Sequence, residues 1–180
     1  MRSDARRNRD RLLAAAREEF AAQGRGASLN RIAQQAGVGP GTLYRHFPSA
    51  QALLVAIISE DVAALCARGE ELLAHPSAGE ALRAWLRALA VHASAMRGLV
   101  AVEALGGGAA LAECHDAIRA AGSRLLRRAE EEAGERYQVD IDDLLVAVNA
   151  MAWAGEQAPQ DHARLDRLLA LLMRGLPSAG

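Results

Sequence analysis

Apolar positions recur along this chain with the period of an α-helix almost from end to end. Leu12, Leu13, Ala16 and Phe20 share one face of a first helix, expected over about Asp4 to Gln23. Leu29, Ile32, Ala33 and Ala36 fall at i, i+3, i+4 and i+7 of a second, Leu29 to Ala36, with Ser28 as its N-cap. A short third helix, Pro40 to Phe47, opens on a proline, whose missing N–H suits a first helical turn. Between the two stands Gly37-Val38-Gly39, with Gly37 where a helix ends in a left-handed residue. A long fourth helix, about Ser49 to Ala74, carries Leu53, Ile57, Ile58, Val62, Leu65 and Leu72 before His75-Pro76-Ser77 breaks it. A fifth, about Ala78 to Arg97, aligns Leu82, Trp85, Leu86, Leu89, Ala93 and Met96. Gly98 then opens a separate apolar segment, Leu99 to Leu105, followed by a Gly106-Gly107-Gly108 joint. Later helices are expected over Ala109–Arg136, Ile141–Glu156 and Asp161–Gly175. The pattern predicts an all-α chain of about nine helices.

The joined pair at Ser28–Phe47 is a helix-turn-helix, and its second helix carries Thr42, Tyr44, Arg45 and His46, side chains that meet phosphates or base edges. Net charge is only −1, which argues against a nucleic-acid binder until its distribution is read. Residues 1–50 hold nine Arg against four acids, net +5, and residues 51–180 carry −6. The positive charge is thus concentrated beside the helix-turn-helix, where phosphates would lie. Arg2, Arg6, Arg7 and Arg9 read as a basic N-terminal arm, either a solvated basic end or one reaching phosphates or a minor groove.

The run from Arg11 to Leu54 resembles the DNA-binding head of the TetR/AcrR family of bacterial transcriptional regulators. It contains R-L-L-A-A-A-R-E-E-F-A-A-Q-G, then S-L-N-R-I-A-Q-Q-A-G-V, then G-T-L-Y-R-H-F, then P-S-A-Q-A-L-L. The resemblance covers the first third of the chain; the rest is similar only in being helical and apolar. It implies a DNA-binding domain at 1–48 and a helical effector-binding and dimerisation domain at 49–180. It further implies that Tyr44 and His46 hold phosphates, that Gly39, Pro40, Thr42 and Arg45 face bases, and that Leu43 and Phe47 pack inward. Ser28 would cap its helix and meet a phosphate, with Asn30 and Arg31 as further contacts. One departure stands out: the family commonly has Lys where this chain has Ala50, so a basic contact is missing, though the helix N-terminus capped by Ser49 still offers N–H groups.

In the body, Leu65, Trp85, Leu89, His92, Met96, Glu103, Ile118, Asn149 and Trp153 are candidates to line an effector pocket. Core packing is the competing reading for Trp85 and Met96; His92 and Glu103 need polar partners, from a neighbour or a ligand. Leu144, Leu145, Val148, Leu165, Leu168 and Leu172 on the last two helices are expected at a homodimer seam, by resemblance a four-helix bundle; closure of the monomer core is the competing reading of those apolar faces. Cys66 and Cys114 lack metal-ligand spacing and read as buried free thiols of a reducing cytoplasm; no metal or cofactor is expected. No signal peptide is expected, nor an apolar run long enough to span a membrane.

The expected function is a cytoplasmic, ligand-responsive repressor that binds a palindromic operator as a homodimer and is released by a small-molecule effector. The competing readings are an all-helical ligand carrier or enzyme with an incidental helix-turn-helix, and an architectural nucleic-acid binder. No nucleophile–base pair or phosphate loop favours the enzyme, so none is expected.

Overall fold

The computed structural model describes residues 2–103, 108–157, 160–161 and 163–176. Among these are eight α-helices and no strand: α1 (Arg2–Gln23), α2 (Leu29–Gln35), α3 (Pro40–His46), α4 (Ala50–Leu72), α5 (Ala78–Glu103), α6 (Gly108–Ala133), α7 (Ile141–Glu156) and α8 (Arg164–Gly175). A short 3-10 turn, Gly24–Gly26, follows α1. The separate segment expected after Gly98 is absent, because α5 continues through it. A single interior glycine costs a helix only about 1 kcal/mol, and no proline reinforces it. The N-terminal arginines likewise belong to α1 rather than to a separate arm.

Helix ends follow local chemistry. The Ser49 hydroxyl accepts the Ala52 N–H at 3.1 Å at the start of α4. At α5 the Ser77 hydroxyl accepts the Glu80 N–H at 3.3 Å, and the Glu132 carboxylate takes the Ala78 N–H at 2.7 Å. A reciprocal capping box between Asp140 and Asp143 opens α7.

The chain forms two compact units, one of residues 1–60 with 96–112, the other of 61–95 with 113–180. In the first, Leu12, Leu13, Ala16, Phe20, Ile32, Ala33, Leu43, Phe47, Leu53, Leu54 and Ile57 are buried, and α1 packs on α2 and α2 on α3. In the second, one core joins Leu65, Leu72, Leu82, Trp85, Leu86, Leu89, Leu125, Ile141, Leu144, Leu145, Val148 and Leu169. Trp85 lies at its centre. Its indole N–H donates to the Leu65 carbonyl at 3.2 Å, and its ring sits where side chains at Gly69 and Gly122 would be.

α4 contributes to both units. Contrary to the expectation from sequence, it is long and apolar enough, by length and composition, to cross a membrane. A core helix satisfies the same criterion, and Leu53, Leu54, Ile57, Ile58, Val62, Leu65 and Leu72 of α4 are buried.

Candidate nucleic-acid interface

The helix-turn-helix is held by short-range bonds that the sequence dictates. Ser28 has extended backbone and its hydroxyl accepts the Arg31 N–H at 3.5 Å. At the other end of α2 the Val38 N–H reaches the Ala33 carbonyl, and the Gly37 N–H the Gln34 carbonyl, both at 3.0 Å. This pair of bonds is a Schellman cap; it needs a left-handed residue, and Gly37 supplies it with φ of +64°. Gly39 then caps α3, its carbonyl accepting the Thr42 N–H at 2.9 Å, with Pro40 in the first turn. Leu43 and Phe47 turn inward and are buried. That leaves Gly39, Pro40, Tyr44 and Arg45 exposed and Thr42 and His46 half-buried, all solvent-accessible.

Within α3, Arg45 folds back along its own helix. Its Nε donates to the Gly41 carbonyl at 3.1 Å and a terminal nitrogen to the Thr42 hydroxyl at 3.2 Å. Thr42 and Arg45 therefore present one joined polar surface. Ser28 is half-buried at the start of α2, with Asn30 and Arg31 exposed on its first turn. Arg6 and Arg7 are exposed on α1, and Arg7 is paired with Asp4 at 2.8 Å.

Residues 12–57 match the family described as bacterial regulatory proteins, tetR family, and residues 77–178 match the transcriptional regulator SbtR-like C-terminal domain. The chain belongs to the TetR family. A TetR transcriptional regulator from Streptomyces coelicolor is 38% identical over 95% of this chain and 99% of its own, with a TM-score of 0.74. A TetR regulatory protein from Mycobacterium vanbaalenii is 34% identical over 97% and 98%, with a TM-score of 0.71. The HTH-type transcriptional regulator UidR of Escherichia coli K12 is 43% identical over 72 residues, 39% of this chain; that match takes in only 37% of UidR. As a TetR-family member this chain is a helix-turn-helix, DNA-binding transcriptional regulator.

Several residues that brace this TetR-type head carry no motif. Glu19 of α1 is a carboxylate only 3% exposed. It accepts the Ser28 backbone N–H at 3.1 Å and pairs with Arg31 at 3.1 Å. Its signal in the sequence was position: Glu19 stands seven residues after Leu12 and three after Ala16, on the apolar stripe. Arg9, expected in the arm, instead stacks over the Phe47 ring at 6.0 Å and shares Glu60 of α4 with Arg17, at 3.3 and 3.1 Å.

The expected pocket residues of this regulator scatter. Leu65, Trp85 and Leu89 are buried in the core of the second unit, with Ile118 and His92 half-buried. Burial holds the His92 imidazole below its ordinary pKa, with Asp61 opposing that shift. Met96 belongs to the first unit. The Glu103 side chain lies outside the described residues. Asn149 and Trp153 are not inside: both are exposed on α7, Trp153 by 56%, and the Asn149 amide bonds back to the Leu145 carbonyl at 2.9 Å.

The expected seam needs a similar correction. Leu144, Leu145 and Val148 point into the chain's own core and are not open to a partner. The open face of α7 is the opposite one, with Val146 71% exposed beside Asn149, Ala150 and Trp153. On α8, Leu165 and Leu172 are half-buried against the core, while Leu168 and the exposed Leu171 share a surface groove with Arg164, Arg167 and Arg174. Cys66 and Cys114 are in no disulfide and are only partly buried, and burial pushes the Cys66 thiol pKa up.

Proposed function

We propose that this TetR-family regulator is a ligand-responsive repressor that grips a palindromic operator as a homodimer. The observation that carries the reading is α3. A glycine turn and a proline start fix it as a short helix, and Leu43 and Phe47 anchor its inner face. Thr42, Tyr44, Arg45 and His46 then stand outward on a head of net charge +5. Thr42 with Arg45, and the exposed backbone of Gly39 and Pro40, read bases; Tyr44, His46 and Ser28 hold phosphates, with Asn30, Arg6 and Arg7 at the margin.

Dimerisation runs through α7 and α8. Val146, Ala150, Trp153 and Leu171 leave apolar surface open there, and half-buried Leu165, Leu168 and Leu172 flank it. A two-fold dimer sets two copies of α3 on successive major grooves, about 34–36 Å apart. Residues 49–180 form the effector-binding and dimerisation body, where a small apolar or amphipathic molecule held near Leu65, Leu89, His92 and Ile118 would favour a head spacing that mismatches the operator. The regulator acts in the cytoplasm, with no cofactor of its own.

The test is mass measurement of purified protein on a palindromic duplex taken from its own promoter region. Two protomers per site, displaced by one compound from a library of apolar and amphipathic molecules, is the expected result. One protomer per site, or no compound that releases DNA, would reject the dimeric, inducible part of the reading.

A further inference from the structure

Among the head's charged groups, Glu19 is set apart by burial. A carboxylate 3% exposed loses its hydration, a cost of several kcal/mol unless charge and hydrogen bonds replace the water. Two replacements are present: the Ser28 N–H donates at 3.1 Å and the Arg31 guanidinium lies at 3.1 Å. Glu19 thereby ties α1 to the residue at which α2 begins. The start of α2 leads through the rigid Gly37 turn directly to α3.

Arg31 is caught in the same clamp. Its side chain is 52% exposed, on the same helical turn as the Ser28 cap, and one of its terminal nitrogens is committed to Glu19. An arginine that neutralises a buried carboxylate cannot leave for a phosphate without stranding that charge. We propose that Glu19 is a positioning residue of the DNA-reading head, and that it withholds Arg31 from the phosphate backbone as its own counter-ion. Sequence composition counts Arg31 toward the phosphate-binding charge; the geometry removes it. The consequence is selectivity. A sequence-independent contact is suppressed, so a larger share of affinity rests on the base-reading surface of α3. This inference rests on the reading that α3 and the start of α2 face DNA.

The experiment measures binding of the full-length protein to an operator duplex and a scrambled duplex across a salt series. Four proteins are compared: wild type, Arg31→Ala, Glu19→Gln and the double variant. Glu19→Gln keeps an acceptor for the Ser28 N–H but drops the charge that holds Arg31. The expected wild-type slope of log K against log salt is steep, and Arg31→Ala leaves it unchanged. Glu19→Gln steepens the slope by about 0.9 per head, the value of one added phosphate contact, and lowers the operator-to-scrambled ratio. Removing Arg31 in the double variant abolishes the added slope. A slope shallower by about 0.9 per head in Arg31→Ala would show that Arg31 already holds a phosphate and would overturn the proposal. So would a Glu19→Gln slope equal to wild type. Should a single variant fail to fold, the double variant, which strands no charge, still decides: a slope equal to wild type means that Arg31 is withheld, and one shallower by about 0.9 per head means that it already holds a phosphate and overturns the proposal. A wild type with no salt dependence would instead remove the DNA-facing surface on which the inference rests.

Discussion

Among the described glycines, Gly122 in the interior of α6 has the least room for a side chain. A Cβ there would stand 2.5 Å from Cδ1 of Ile141 and 2.8 and 2.9 Å from two carbons of the Trp85 ring. Real Cβ atoms do not approach so closely, so Gly122→Ala must push Ile141 or the indole aside. Trp85 has little room to yield: it is fully buried, its N–H is bonded to the Leu65 carbonyl, and Gly69 flanks it on α4. Overpacking of this kind costs about 1–3 kcal/mol, while Gly→Ala inside a helix returns about 0.8–1. Three contacts under 3.0 Å place the overpacking in the upper half of that range, about 2–3 kcal/mol, so the net expectation is a loss of about 1–2 kcal/mol, or a Tm lower by roughly 2–8 °C in a chain of this size. Gly79 and Gly155 are the controls, being helical glycines with nothing within 4 Å of an added Cβ; there alanine should be neutral or stabilising. The assay is thermal and urea unfolding by circular dichroism at one protomer concentration, since dimerisation makes Tm concentration-dependent. Ile141→Val removes the clashing methyl, so it should recover part of the loss in a double-mutant cycle. A Gly122→Ala protein as stable as wild type would refute the packing described around Trp85.

Three further outcomes are expected. Tyr44→Phe and His46→Ala should weaken binding to all duplexes by similar factors, whereas Thr42→Ala should alter sequence preference; duplex titrations that reverse these roles would overturn the contact assignments. Val146→Glu with Trp153→Glu should give a folded monomer by light scattering, because both are exposed in the single chain and their loss costs its core nothing; a stable dimer would place the seam elsewhere. His92, held below its ordinary pKa of 6.5 by burial, binds fewer protons folded than unfolded. Its contribution to stability is therefore full above pH 6.5 and is lost as pH falls from there through the folded value, and His92→Gln should flatten that part of the pH–stability curve. An unchanged curve in the variant would show that other groups govern the acid side.

The head was legible in the sequence because its determinants are local. Ser28 caps within three residues, Gly37 supplies one backbone conformation, and Pro40 starts one helix, so reading them needs no knowledge of distant neighbours. Glu19 was not legible by the same route. Its burial depends on α1 meeting the start of α2, and a charged residue on an apolar stripe is ordinarily discounted. The face of α7 was misjudged for another reason. Apolar residues surround that helix, with Ile141, Leu144, Leu145 and Val148 on one side and Val146 and Trp153 on the other, so periodicity alone does not say which side the chain covers. The richer stripe went inward, as the larger apolar area should. Gly98 shows the limit of punctuation: one glycine without a following proline leaves a helix intact when its apolar neighbours favour continuing it.

The central claim, that α3 reads DNA in a two-fold dimer, is tested most directly by selecting binding sites from a random duplex library with wild type and Thr42→Ala side by side. Wild type should enrich an inverted repeat whose half-site centres lie one helical turn apart, or a whole multiple of it. Thr42→Ala should enrich a repeat of the same spacing with altered bases in each half-site. An asymmetric or unenriched wild-type pool, or an identical motif from both proteins, would contradict it.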